Sequence, residues 1–142
     1  MADMFKRIDH IGVVVDDITE ARALLESLGM RLERAEEVPA RNVKIAFYHC
    51  GDGRIELIEP TTPEARQRRL GEGNQARLEH IGVEVDDVSQ MMRAVQGLGI
   101  QLTTGEPVPV GPNLNAWTEP GTSKGIQFQL VQRDAVQRDA VQ

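Results

Sequence analysis

Apolar and polar positions in this chain follow one scheme, written twice. Residues 8–15, IDHIGVVV, are rich in β-branched side chains and read as a strand. Next comes ITEARALLESLG, with Ile18, Ala21, Leu24, Leu25 and Leu28 at helical spacing. Asp16-Asp17 offer that helix an N-cap and Gly29 a stop. Three short strands are predicted after it, at about 30–37, 43–50 and 53–59. The second half predicts a strand near 78–85, a helix near 88–98 and strands near 100–106, 113–118 and 125–132.

The wording of the two halves matches as well as the pattern. HIGVVVDD begins at His10 and HIGVEVDD at His80, an offset of 70 positions. The same offset places Gly12 on Gly82, Gly29 on Gly99, Glu36 on Glu106 and Pro39 on Pro109. Further on, RIELIE resembles IQFQLV at an offset of 73, with Glu56 opposite Gln129. Two copies are too few for a solenoid, so the expected architecture is a paired fold. Residues 1–60 form a first βαβββ module, 61–77 a linker, 78–132 a second module and 133–142 a tail. In the linker, Thr62 is placed to cap a short helix with Pro63 at its first position, ending at Gly71 or Gly73. The tail, RDAVQRDAVQ, is expected to be frayed or partly helical.

Composition narrows the function. Hydrophobic residues make up 40% and charged residues 27%, an ordinary globular balance, while aromatics at 4% leave the core to aliphatic side chains. A net charge of −6 disfavours nucleic acid or an anionic membrane as a partner. The start of the chain shows no secretory signal pattern, and no apolar run reaches the ~20 residues of a membrane span. The single cysteine, Cys50, excludes an intrachain disulfide and fits a cytoplasmic location.

Strand alternation groups the candidate chemistry. His10, Gly12 and Val14 share one face, and His80, Gly82 and Glu84 share the equivalent face. Arg54, Glu56 and Ile58 line up in the first half, Gly125, Gln127 and Gln129 in the second. Two imidazoles and two oxygen donors at equivalent positions match the needs of a divalent cation. Phe47, Phe128 and Trp117 are expected to divide between core and pocket, Trp117 sitting either in the pocket or in a loop near Pro112 and Pro120.

The phrases IDHIGVVVDD, EEVPARNVKIAF, IELIEPTTPEA, GEGNQARLEHIGVEVDDV and GIQFQLVQ, in this order and spacing, resemble the vicinal oxygen chelate superfamily, and within it the methylmalonyl-CoA epimerases. The resemblance runs from about Arg7 to Gln132. It implies an α+β fold of two βαβββ modules forming a cupped, incomplete eight-stranded β-barrel around a metal site. It implies a divalent cation (Co, Ni, Mn, Mg, Zn or Fe) on His10, Glu56, His80 and Gln129, and a cytoplasmic homodimer. The implied activity is α-proton abstraction on an acyl-CoA such as methylmalonyl-CoA. In those epimerases the position of Gln129 holds Glu, a proposed base, and a second base position holds Ile45 here. An amide is no general base, so the candidate catalytic residues are Glu56, with Gln129 as a neutral ligand and Glu84 in reserve. A glyoxalase-like lyase, a dioxygenase and a non-catalytic small-molecule-binding protein remain open as alternatives.

Overall fold

The computed structural model describes residues 4–136. Its eight strands pair in two runs, β2-β3-β4-β1 and β5-β8-β7-β6. These are β1 (Arg7–Val15), β2 (Arg31–Val38), β3 (Val43–Cys50), β4 (Gly53–Pro60), β5 (Ala76–Glu84), β6 (Val108–Val110), β7 (Asn113–Trp117) and β8 (Gln127–Gln132). The helices are α1 (Ile18–Ser27), α2 (Pro63–Arg69) and α3 (Val88–Gly97). The chain makes two compact units: His10–Glu79 is the first, and Met1–Asp9 with His80–Gln142 is the second. The borders fall inside β1 and β5, immediately before each repeated histidine.

In the first unit, β1 pairs in parallel with β4, and β3 pairs antiparallel with β4 and β2. Asp17 caps α1 by accepting from the Glu20 backbone N–H at 3.1 Å. Glu59 accepts from the Ile18 N–H at 2.9 Å and satisfies a second orphan donor of the helix. Ile18 and Leu25 then bury against Ala46, Tyr48 and Leu57. On the opposite face of the sheet, Val14, Val43 and Ile58 pack with Leu70, the residue that ends α2.

The second unit repeats these devices. β5 pairs in parallel with β8, and β7 pairs antiparallel with β8 and β6. Asp87 caps α3 through the Gln90 N–H at 3.0 Å, and Gln132 accepts from the Val88 N–H at 3.0 Å. Val88 and Met92 bury against Val83, Ala116 and Leu130. Among the described residues no helix is long and apolar enough to cross a membrane.

The second module differs from the sequence expectation in its second strand. The stretch 100–106 keeps only an isolated bridge, Leu102 to Thr118, and pairing resumes as β6 at Val108. Local chemistry breaks the strand: the Thr104 hydroxyl donates to the Glu106 carbonyl at 2.8 Å, and Pro107 has no N–H for a ladder. Gly125 is not a strand residue either. It sits at φ +88° in the turn before β8, a conformation glycine adopts without strain. Gln127 and Gln129 do lie on β8.

The linker helix forms as expected, with Thr62 accepting from the Ala65 N–H at 3.2 Å and Pro63 in the first turn. The start of the tail takes the helical alternative, turning helical at Ala135 and Val136. The Arg133 Nε donates to Asp9 at 2.6 Å, Val136 N–H donates to the Pro112 carbonyl at 3.0 Å, and Ala135 is buried. The second copy of RDAVQ lies outside the described residues.

Arg133 has a counterpart in the first unit. Arg69 grips Glu79 with a two-bond fork, Nε and Nη2 donating at 2.9 and 2.8 Å. The Glu79 bond holds the Arg69 guanidinium above the ordinary arginine value, against the opposing effect of burial. Asp9 and Glu79 are the residues directly before His10 and His80, so each histidine follows an acid clasped by an arginine. Arg69→Met is expected to cost about 2 kcal/mol in urea unfolding, because a mostly buried carboxylate loses its fork. Arg69→Lys should recover only part of that, since an ammonium cannot span both oxygens. An unchanged midpoint in Arg69→Met would contradict this role.

Candidate metal and substrate site

The parallel β1–β4 ladder sets Gly12 opposite Glu56. Alternation then puts His10 and Glu56 on a common face, two residues apart in register. The His10 Nε2 lies 3.5 Å from the Glu56 Oε1. This is long for a hydrogen bond. It suits two neighbouring ligand atoms of one cation, which stand about 3.0–3.5 Å apart when metal–ligand bonds are about 2.1 Å. His10 is 3% exposed and Glu56 14%, so the pair is shielded from water.

Phe47 builds one wall of this half-site. It stands opposite Glu56 on β3 and meets the His10 ring edge-on, centroids 5.6 Å apart. The guanidinium carbons of Arg34 and Arg54 lie 4.7 and 5.4 Å from the Phe47 centroid. Arg54 shares the face of Glu56 and donates to the two Glu33 oxygens at 3.3 and 3.0 Å. Ile45, where a second base would stand, is an aliphatic neighbour of the Val14–Val43–Ile58–Leu70 cluster.

The second unit carries the same arrangement with an amide in place of the carboxylate. Gly82 is opposite Gln129 on the β5–β8 ladder, and His80 lies two residues before Gly82. His80 is buried and Gln129 half-buried. The Gln129 Nε2 donates to the Asn115 Oδ1 at 2.9 Å. Trp117 is opposite Gln129, as Phe47 is opposite Glu56, so it belongs to the end of β7 and not to a loop. Phe128 turns to the other face, packing on Phe5 with centroids 5.5 Å apart and joining the core. Glu84, at the end of β5, has oxygens 3.8 Å from the Lys6 Nζ and 3.3 Å from the Arg7 Nε.

Sequence reasoning missed three sets of residues at these half-sites. Asn115 carried a faint signal, a polar residue in NLNAW at the offset that matches Ile45. The acids Asp9 and Glu79 carried another, since each stands before a repeated histidine. Arg34 carried none, because only the β2–β3 register brings it to Phe47.

The donor set fits a divalent cation on chemical grounds. Imidazole suits borderline metals, and carboxylate or amide oxygen suits both these and harder ones. The set has no thiolate, which argues against soft-metal binding.

Known proteins place this architecture. Residues 9–116 match the model of the Glyoxalase/Bleomycin resistance protein/Dioxygenase superfamily. An uncharacterized Bacillus subtilis protein, YqjC, is 33% identical over 97 residues, covering 68% of this chain and 69% of that protein. The human mitochondrial methylmalonyl-CoA epimerase is 27% identical over 85 residues, 58% of this chain and 48% of its own length. A solved Streptomyces coelicolor methylmalonyl-CoA epimerase, in complex with 2-nitronate-propionyl-CoA, shares the fold at a TM-score of 0.76 and 21% identity, covering 91% of this chain and 98% of that one. Extended over most of its length by family, relative and fold alike, the chain belongs to the glyoxalase/bleomycin resistance protein/dioxygenase superfamily.

Proposed function

We propose that this protein is a divalent-metal-dependent isomerase that exchanges the proton α to the carbonyl of an acyl-CoA, with a methylmalonyl-type thioester as substrate. The observation that carries the reading is the repeated half-site: a buried histidine and an oxygen donor set by the same glycine-opposed parallel register in each unit. The donor set supports an ion, since two imidazoles with a carboxylate and an amide oxygen suit one divalent cation. The epimerase relatives and the acyl-CoA analogue bound by one of them support the substrate class. In this reading the chain works in the cytoplasm as a homodimer.

His10, Glu56, His80 and Gln129 would hold the cation. When bound, it supplies Lewis-acid stabilisation of the developing enolate oxygen. The proton is the task of this chain's own groups. Gln129 has no basic lone pair, so Glu56 is the carboxylate of the set that accepts the α proton and returns it. Loss of the C–H bond leaves its electron pair in the enolate and the proton on Glu56; the return step reverses both. Phe47 and Trp117, opposite Glu56 and Gln129, exclude water at their own half-sites. Glu84 is the reserve base, and it is already engaged by Lys6 and Arg7.

Glu56→Gln should lower deuterium incorporation at the α carbon of methylmalonyl-CoA at least about a hundredfold. The metal should stay bound, though more weakly, since an amide oxygen still ligates. Exchange at the wild-type rate in Glu56→Gln would move the base to another residue, Glu84 first. If wild type does not exchange and Gln129→Glu does, the scaffold serves a different ligand.

Trp117 is the single tryptophan, so its emission reports one place. Added Co²⁺ should quench it saturably in wild type, and His80→Ala should abolish the quenching. Emission indifferent to Co²⁺ in wild type would remove the ion from the neighbourhood of Gln129.

A further inference from the structure

We infer that Asn115 is a positioning residue that presents the oxygen, not the nitrogen, of the Gln129 amide to the cation. The inference rests on the reading above, in which Gln129 is a ligand. A glutamine side chain has two unlike ends: a carbonyl oxygen that accepts and an NH₂ that only donates. The oxygen alone can ligate a cation such as Mn²⁺ or Mg²⁺. A half-turn about the last torsion swaps the two ends with little change in shape. A glutamine ligand therefore needs something to choose its orientation.

The structure contains such a device, and it begins at a group that cannot flip. The Val108 backbone carbonyl can only accept. The Asn115 Nδ2 points to it at 3.4 Å, which leaves the Asn115 Oδ1 at the other end of that amide. The Oδ1 in turn accepts from the Gln129 Nε2 at 2.9 Å. The direction of one backbone carbonyl thus passes through two side-chain amides and spends the Gln129 nitrogen on Asn115. The Gln129 Oε1 is the end turned away. Asn115 is 3% exposed, so water does not compete for these bonds.

The first unit provides an internal control. The position equivalent to Asn115 is Ile45, and the oxygen donor there is Glu56. A carboxylate has two like oxygens, so rotation about its last torsion returns the same ligand. It needs no orienting amide, and an aliphatic residue suffices at position 45. The asparagine accompanies the glutamine, which is the one ligand of the four that can present a wrong end to the ion along a freely rotating amide.

The test is Mn²⁺ binding, followed by electron paramagnetic resonance and titration calorimetry, in wild type, Asn115→Leu and Asn115→Asp. Thermal melting without metal checks that each variant is folded. Asn115→Leu removes the acceptor and should bind Mn²⁺ about tenfold more weakly, the range for an outer partner of a ligand. Asn115→Asp retains an acceptor for the Gln129 Nε2 and should bind at least as well as wild type; a merely structural role would not be rescued this way. If Asn115→Leu fails to fold, the wild type decides alone: with labelled glutamine and Zn²⁺, the Gln129 carbonyl carbon should shift while its amide protons stay hydrogen-bonded. Wild-type affinity in a folded Asn115→Leu, or amide protons released by Zn²⁺, would overturn the inference and leave the metal reading standing. A wild type that binds neither ion overturns both.

Discussion

A parallel ladder with glycine opposite the oxygen donor is the constraint on which each half-site depends. Gly12 faces Glu56 and Gly82 faces Gln129. The glycine brings no side chain beside the donor, and the histidine two residues earlier shares its face. A slip of one residue in either ladder would turn the donor to the helix side, among the aliphatic residues that bury α1 or α3. The clasped acids Asp9 and Glu79 and the helix-capping Glu59 and Gln132 lie on the same strands and hold that register from its ends.

The two half-sites share one strand register and differ in chemistry. Glu56 and Glu59 in the first have Gln129 and Gln132 as counterparts in the second. At the helix N-termini the exchange is nearly neutral, because either side chain offers an oxygen to the Ile18 or Val88 N–H. At the half-sites it is not. One donor is a carboxylate and the other a directional amide, so the proposed function gives proton transfer to one half and the need for ligand orientation to the other.

Much of this was legible in the sequence because duplication doubles every signal. The β-branched runs, the Asp–Asp caps and the repeated HIG phrase gave the strands, helices and ligand candidates together. The fourth candidate ligand, Gln129, came from matching RIELIE to IQFQLV across a three-residue slip. What stayed hidden depended on single interactions over long range or on local competition. The stretch 100–106 has strand-like residues, and the Thr104 turn and Pro107 defeat them. The tail looked unattached because Asp9, its partner, is far away in sequence. Asn115 looked like an ordinary strand polar residue until its bond to Gln129 gave it a purpose.

The most direct measurement of the central claim is a crystal structure of the protein with Mn²⁺, using anomalous diffraction to locate the ion. The account predicts one strong peak within bonding distance of His10, Glu56, His80 and the Gln129 oxygen. No peak at those residues, or a peak that touches the histidines but not Glu56, would contradict it.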